Sequence, residues 1–285
     1  MDAAQFAQTT SETTIFGRIT PEQKEKLIQT LRDQGQYVAM IGDGVNDVLA
    51  LKQANLGIAM QGGSQATRSV ADIVLLNDSF AALPQAFAEG QRILNGMDDI
   101  LRLYLVRILS LALLVVAITM LGAGFPFTPT QSSLISLLVL SIPAFGLALW
   151  ARPGPMRQGN LTRRLMHFVL PAVLVTTIAQ LAVYVFFLVK TRGDYVYSQQ
   201  ALTQASILLG LLLVVFVEPP AKVWVGGEEL SRDWRPTLLA IGLVFVFGLF
   251  MAIPFLRELY GLAVLDGLTD YLVIGITTLL WAVAL

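Results

Sequence analysis

The sequence predicts an α/β domain followed by an all-α bundle of six transmembrane helices, and two observations predict this order. Residues 1–97 carry 7 Lys and Arg and 10 Asp and Glu, spread along the chain as in a water-soluble domain. Residues 98–285 consist mainly of long apolar runs, with most of their charges in the segments between the runs. The whole chain is 55% hydrophobic and 14% charged, which makes it more apolar and less charged than ordinary soluble domains.

Composition and charge exclude several classes of protein. The net charge of −1 and the lack of a basic stripe argue against nucleic acid as a partner. The chain contains no cysteine, so it offers neither disulfides nor thiolate metal ligands. The first 20 residues are polar and lack the apolar core of a secretory signal. We therefore expect residues 1–97 to lie in the cytoplasm.

The predicted elements of the first domain alternate between strands and helices, and this alternation predicts a parallel sheet covered by helices. We expect a short strand at residues 13–19. A helix should follow from Pro21 to about Gln34, because Thr20 and Gln23 match a capping box and proline is favoured at the first helical position. The later predicted elements are a buried strand at 37–41, a helix at 46–54, a strand at 56–60, a plain loop at 62–64, a helix near 65–70, a strand at 73–76 and a long helix over 80–97.

Two carboxylates follow the apolar run at 37–41. Asp43 and Asp47 lie on a turn that Gly42 and Gly44 loosen. In α/β proteins the carboxyl ends of the strands carry the binding groups. Mg²⁺ prefers oxygen ligands and is commonly held by one or two carboxylates together with substrate phosphate. The pattern therefore predicts a magnesium and phosphate site, although Asp-Gly is also a common turn former.

Six apolar runs in the second part approach the length of a bilayer span. The segment between the second and third runs and the segment between the fourth and fifth carry seven Lys and Arg, against three in the segments after the third and fifth runs. The positive-inside rule then places the two richer segments, and both chain termini, in the cytoplasm. The predicted spans are 100–122, 130–150, 165–189, 201–217, 237–256 and 268–285.

Three segments of the first domain resemble the phosphorylation domain of P-type ATPases, a branch of the haloacid-dehalogenase-like superfamily. Gly-Asp-Gly-Val-Asn-Asp at 42–47 is similar to the hinge motif of that family, and Arg-Ile-Thr-Pro-Glu-Gln-Lys at 18–24 is similar to its lysine segment. Residues 57–75 resemble the stretch that leads to its fifth membrane helix. The resemblance implies a partial haloacid-dehalogenase-like Rossmannoid fold for residues 1–97, with residues 98–285 as the fifth to tenth membrane helices of a pump.

The resemblance also implies roles for individual residues. Asp43 would ligate Mg²⁺, and Asp47 would orient that site by hydrogen bonding. Lys24 would offset negative charge on the phosphoryl group, and Asn46 would donate to a phosphoryl oxygen. ATP would bind to a domain that this sequence does not contain.

Inside the second predicted span, Pro143 leaves the carbonyl of Val139 without its helical partner. In the family such unwinding supplies oxygen ligands to the transported inorganic cation. Ser141, Ser136 and Ser110 are candidate side-chain ligands, and Glu218 is a candidate at the end of the fourth span. A plain structural kink at Pro143 and a boundary position for Glu218 are the alternatives.

The sequence departs from the family in one important respect, because it contains no Asp-Lys-Thr-Gly-Thr motif with the phosphorylated aspartate. We therefore expect the carboxyl-terminal third of a bacterial cation pump, most similar to calcium exporters, that is inactive without its missing amino-terminal part. The expected location is the plasma membrane. The alternatives are a non-catalytic membrane protein that binds or regulates a partner pump and, ranked last, a membrane-anchored phosphatase.

Overall fold

The computed structural model describes residues 3–122, 124–154, 161–218 and 233–285. The chain divides into two compact units, Met1–Phe87 and Ala88–Leu285. Parts of the two predicted cytoplasmic segments between spans, at 155–160 and 219–232, lie outside the described residues.

The first unit contains a parallel sheet of three strands in the order β1-β2-β3. Ile41 lies opposite Ile58, and Ile58 lies opposite Ile73. A small apolar core of Ile28, Val38 and Ala50 packs beneath the helices. The elements are α1 (Ala3–Glu12), α2 (Pro21–Asp33), β1 (Ala39–Gly42), a 3₁₀ turn (Val45–Asp47), α3 (Val48–Gln53), β2 (Leu56–Met60), α4 (Gln65–Val70) and β3 (Ile73–Leu75).

Helix α2 begins where the sequence predicts, because its capping box is formed. The amide of Gln23 donates to Thr20 Oγ1 at 3.3 Å, and the amide of Thr20 donates to Gln23 Oε1 at 2.9 Å. A side-chain hydrogen bond with Thr20 also holds the pKa of Glu22 below its ordinary value. The helix ends one residue before the expected Gln34, and Gly35 follows with a left-handed φ of +83°.

Two predictions for the first unit are wrong. Residues 13–19 form no strand, because they pair with no strand among the described residues; Ile15 is 85% exposed and Arg18 has a φ of 56°. The strand expected at 37–41 runs from Ala39 to Gly42 and is only partly buried. It lies at the edge of the three-stranded sheet, so Ile41 remains 37% exposed.

The second unit is helical, which confirms the predicted fold class of an α/β domain followed by a helical bundle. Helix α5 begins in the first unit and continues into the second. Within the residues that the structure describes, five helical segments are long and apolar enough to cross a membrane, and α12, at 17 residues, is shorter. The elements are α5 (Ala82–Met120), α6 (Pro129–Ile135), a π-helical segment (Ser136–Ser141), α7 (Ile142–Trp150), α8 (Leu161–Lys190), α9 (Tyr195–Val217), α10 (Arg235–Ala252), α11 (Pro254–Leu259) and α12 (Leu268–Ala284).

Helix α9 lies at the centre of the bundle. It packs against α8, α10 and α12, and most of its residues are buried. The fifth predicted span, 237–256, is interrupted, because α10 ends at Ala252. Pro254 has no amide to donate and favours an extended residue before it, so Ile253 adopts φ −88° and ψ 113°.

The segment before Pro143 has π-helical hydrogen bonding over Ser136–Ser141. Proline has no amide proton, so the helix cannot keep its regular pattern of bonds across this point. Widened turns of this kind occur frequently at functional sites. The Val139 side chain is buried against Gly210 of α9, where an added Cβ would lie 2.2 Å from Val139 Cγ1. Gly210 thus permits the close approach of α9 to the π-helical segment.

Candidate functional site

The candidate site is the turn that follows β1. Gly42 ends the strand, and the 3₁₀ turn brings Asp47 back beneath the strand end. Asp47 is only 7% exposed, and its Oδ2 accepts a hydrogen bond of 3.3 Å from the amide of Gly44. A Cβ at Gly42 would lie 2.6 Å from Asp47 Cβ. A glycine is therefore needed at position 42 for the Asp47 carboxylate to occupy this place.

Lys24 meets Asp47 across the site. Its Nζ lies 2.6 Å from Asp47 Oδ1, and the two residues are 23 positions apart in the chain. The lysine side chain keeps 34% of its surface exposed, whereas that of the aspartate keeps 9%. The structure thus brings together Lys24 and Asp47. The lysine side chain is partly exposed, so it can meet an anion approaching from solvent.

Asp43 and Asn46 lie on the exposed side of the same turn. Among the described residues, neither side chain makes a hydrogen bond, so both are free to meet a ligand. No group of three or more His, Asp and Glu that could hold a metal occurs in the described part of the chain. The carboxylate oxygens still fit Mg²⁺, because that ion commonly takes one or two carboxylates and completes its shell with water and phosphate.

The loop at 62–64 has a role that the sequence did not reveal. The amide of Ser64 donates to the Asp43 carbonyl at 2.8 Å, and Thr67 Oγ1 donates to the Gly44 carbonyl at 2.9 Å. A Cβ at Gly63 would lie 2.6 Å from the same Asp43 oxygen. The loop and α4 therefore hold the turn in place. Ser64 is also the N-cap of α4, and this local signal was available in the sequence.

In the bundle, Ser110 and Val139 line one small cavity of about 30 Å³. Ser110 is buried, and its hydroxyl lies 3.5 Å from the Val173 carbonyl. Gln180 Nε2 donates to Ser206 Oγ at 2.9 Å across the same region. The other polar residues of the lining are Arg107, Thr176, Gln180 and Ser206.

The structure does not bring the other predicted ion-pathway residues to this cavity. Ser141 is exposed, Ser136 is half-buried, and Pro143 is buried outside the cavity lining. Glu218 follows the last residue of α9 as its C-cap. Only two of the proposed oxygen donors, Ser110 and Val139, therefore share a cavity.

Arg107 was missed in the sequence, although a charge within an apolar run signals function in a membrane helix. It lines the cavity, and its guanidinium lies 5.7 Å from the centre of the Phe127 ring. Its Nη2 is buried and makes no hydrogen bond within the described residues. A fixed positive charge therefore stands beside the hydroxyl and amide groups of the cavity.

Comparisons with known proteins agree with the resemblance. Residues 2–55 match the family model for haloacid dehalogenase-like hydrolase, a stretch that includes Lys24, Asp43, Asn46 and Asp47. The calcium-transporting ATPase CtpE of Mycolicibacterium smegmatis is 34% identical over 267 residues, which cover 90% of this chain and 32% of that protein. These matches support a P-type cation-transporting ATPase.

Two further cation-transporting ATPases extend the comparison. The probable cation-transporting ATPase exp7 of Streptococcus pneumoniae is 39% identical over 183 residues, 61% of this chain and 23% of its own length. The cation-transporting ATPase pma1 of Synechocystis is 26% identical over 283 residues, 93% of this chain and 31% of its own length. The chain thus spans about a third of the length of the curated relatives that it matches most fully. With its membrane-length helices, it is a multi-pass membrane protein.

Proposed function

We propose that this chain is the carboxyl-terminal part of an ATP-driven P-type cation pump of the plasma membrane. Residues 1–97 would supply the Mg²⁺- and phosphate-stabilising part of the phosphorylation site, and residues 98–285 the fifth to tenth membrane helices. The observation that carries the proposal is the ion pair of Lys24 and Asp47, at 2.6 Å, beneath the turn that presents Asp43. The missing amino-terminal part would contribute the phosphorylated aspartate and the ATP-binding domain.

The arrangement suits phosphoryl transfer, in which negative charge must be held on the oxygens of the moving group. The Asp47 carboxylate fixes the Lys24 ammonium, so the positive charge is in place before the substrate arrives. Asn46 can donate its side-chain amide to a phosphoryl oxygen. Asp43 can ligate Mg²⁺, which when bound screens the phosphate charge and positions the group for in-line attack.

We propose calcium as the transported cation, because relatives that match about nine tenths of this chain are named calcium-transporting ATPases. The described lining of the bundle cavity offers hydroxyl and amide groups beside the Arg107 guanidinium, but no carboxylate. Ca²⁺ takes six to eight oxygen ligands and favours carboxylates among them. The remaining ligands would therefore come from membrane helices of the missing amino-terminal part.

The test is the substitution Asp43→Ala in the complete pump that carries this segment. We expect loss of the phosphoenzyme formed from ATP and Mg²⁺, because the metal loses its protein carboxylate. The measurement is the acid-stable phosphate incorporated per pump in membranes, with the amount of pump read by immunoblot. To test the identity of the transported ion, phosphoenzyme formation by the unsubstituted pump is compared in the presence of Ca²⁺, Mn²⁺ or K⁺.

The matched control is Asp33→Ala, which removes an exposed carboxylate at the end of α2. This variant should form the phosphoenzyme at the unsubstituted level. Normal phosphorylation of the Asp43→Ala pump would refute the assignment of the site. An unsubstituted pump that never becomes phosphorylated would instead favour a non-catalytic membrane protein that regulates a partner.

A further inference from the structure

The loop at 62–64 lies directly against the backbone of Asp43. The amide of Ser64 donates to the Asp43 carbonyl at 2.8 Å. A Cβ at Gly63 would lie 2.6 Å from the same oxygen and 3.0 Å from Asp43 Cα, so the two backbones are in contact at this point. The backbone position of Asp43 therefore depends on where the loop lies.

A second segment of the chain also contacts this loop. The amide of Gly62 donates to Asp78 Oδ1 at 2.8 Å, and the amide of Asn77 donates to Gln61 Oε1 at 2.7 Å. A Cβ at Gly62 would lie 2.6 Å from Asp78 Oδ2, so the carboxylate lies close against the glycine. The loop thus joins the turn that carries Asp43 to the segment that carries Asp78.

The segment that carries Asp78 has an uncommon backbone conformation. Asn77 and Asp78 have φ of 56° and 52°, in the left-handed region. Asparagine and aspartate tolerate this region better than most residues, but usually one residue at a time. Strained backbone persists where surrounding contacts determine it, and it is concentrated at functional sites. Here the contacts that hold it are the hydrogen bonds to Gln61 and Gly62, and α5 begins four residues after Asp78.

We propose that Asp78 is a positioning residue for the Mg²⁺ site. Its carboxylate holds Gly62, the loop holds the backbone of Asp43, and the Asp43 carboxylate is thereby placed to meet the metal. The inference rests on the proposed function, which assigns Asp43 as the Mg²⁺ ligand. Asp78 acts only through the loop and is not itself a ligand.

The first measurement is the Mg²⁺ dependence of phosphoenzyme formation in the complete pump that carries this segment. The substitution is Asp78→Gly, because glycine accepts the left-handed conformation and removes the carboxylate. The Mg²⁺ concentration for half-maximal phosphorylation should rise by about threefold to tenfold, the effect of losing one hydrogen bond. Phosphorylation at saturating Mg²⁺ should be retained, because Asp43 is still present.

Two variants separate the carboxylate from other effects of the substitution. Asn77→Gly makes a change to glycine at the neighbouring left-handed residue and keeps the backbone amide that bonds to Gln61. Its Mg²⁺ dependence should match that of the unsubstituted pump. Asp78→Asn keeps an oxygen that can accept from the Gly62 amide, so it should behave much like the unsubstituted pump.

The contact between Gly62 and Asp78 is tested by a double substitution. Gly62→Ala would place a Cβ 2.6 Å from Asp78 Oδ2 and should raise the Mg²⁺ requirement, as Asp78→Gly does. When Asp78→Gly is already present, the added methyl group meets no carboxylate, and Gly62→Ala should change little further. Such non-additivity is expected of residues in contact, whereas additive effects would contradict the contact.

The second measurement is hydrogen–deuterium exchange of the full chain in detergent, which needs neither ATP nor metal. The amide of Ser64, which donates to Asp43, should exchange about threefold to tenfold faster in Asp78→Gly, because the loop loses one hydrogen bond. In Asn77→Gly it should exchange at the unsubstituted rate. This measurement follows the loop itself and does not depend on activity.

The combined results decide the inference. Unchanged Ser64 exchange in Asp78→Gly would overturn it, since Arg68, whose Nη1 donates to the carbonyls of Gln61 and Gly63 at 2.6 Å, would then suffice to hold the loop. Faster exchange with an unchanged Mg²⁺ dependence would also overturn it, because the loop would then not position the metal ligand. An unsubstituted pump that is phosphorylated at no Mg²⁺ concentration would instead overturn the proposed function, and this inference with it.

Discussion

Gly42 is the residue on which the geometry of the candidate site depends most directly. We predict that Gly42→Ala lowers phosphoenzyme formation in the complete pump by up to about 100-fold, since a displacement of about 1 Å can have that effect. The added Cβ would lie 2.6 Å from Asp47 Cβ and would push Asp47 away from Lys24. The initial rate of phosphorylation by ATP is the measurement.

The control for this substitution is Gly17→Ala. Gly17 lies upstream of α2, and an added Cβ there meets nothing within 4 Å. Both variants make the same chemical change in the same unit, but only one meets the Asp47 side chain. A similar loss of phosphorylation in both would mean that the effect arises from the backbone in general and not from the place of Asp47.

At the residue scale, the sequence identified the side chains of the candidate site, but it did not identify the contacts that hold the turn in place. The family resemblance assigned Lys24 and Asp47 to one site, and the structure joins them in an ion pair of 2.6 Å that this assignment did not include. The hydrogen bonds from Ser64 and Thr67 to the turn were not predicted, because their acceptors are backbone carbonyls about 20 residues away in the chain. The sequence of the Gly-Gly-Ser segment does not indicate which carbonyl its amide will contact.

At the scale of elements, a polar cluster joins the ends of three helices. Asp270 of α12 is 1% exposed and pairs with Lys190 of α8 and with the hydroxyl of Tyr197 of α9. The Tyr197 oxygen also accepts a hydrogen bond from the amide of Asp266. A carboxylate that is buried in this way depends on both partners, because an unpaired charge there would be costly.

We predict that Asp270→Asn lowers the free energy of unfolding of the full chain in detergent by about 1.5–3 kcal/mol, the range for hydrogen bonds to charged groups. The substitution keeps the shape of the side chain but removes the charge that faces Lys190. Thermal or denaturant unfolding followed by circular dichroism gives the measurement. Asp266→Asn changes an exposed carboxylate four residues earlier and should leave stability within about 0.5 kcal/mol.

Elements were predicted well where their signals are local. The start of α2 follows from a capping box and a proline, both encoded within four residues. The prediction of a strand at 13–19 was wrong because a strand needs a neighbouring strand to pair with, and the local sequence does not indicate whether one is present. The same reason explains β1, whose apolar residues predicted burial although it lies at the edge of the sheet.

At the scale of the whole molecule, the division into a charged first part and an apolar second part reflects two different solvents. The first unit has a small core, and its sheet leaves apolar side chains such as Ile41, Ile73 and Val74 more than a third exposed. The second unit exposes apolar side chains along its helices, as a bundle in lipid does. This contrast is visible in the composition, whereas the burial of α9 among α8, α10 and α12 depends on how the helices pack and is not.

The orientation of the whole chain can be tested because the sequence contains no cysteine. A single introduced cysteine is therefore the only thiol that a maleimide can label. We predict that, in intact cells, a membrane-impermeant maleimide labels Glu258→Cys and does not label Gln36→Cys. Residue 258 lies in α11, between the fifth and sixth predicted spans, and residue 36 lies between α2 and β1; both are exposed. The positive-inside rule places the first outside and the second inside the cell.

Permeabilised cells supply the internal control, because both cysteines should then react and the unsubstituted chain should not. Labelling of Gln36→Cys in intact cells would place the turn with Asp43 and Asp47 outside, where ATP is scarce. That result would contradict the proposed pump. Labelling of neither cysteine until permeabilisation would mean an even number of membrane crossings between residues 36 and 258, in place of the five that are predicted.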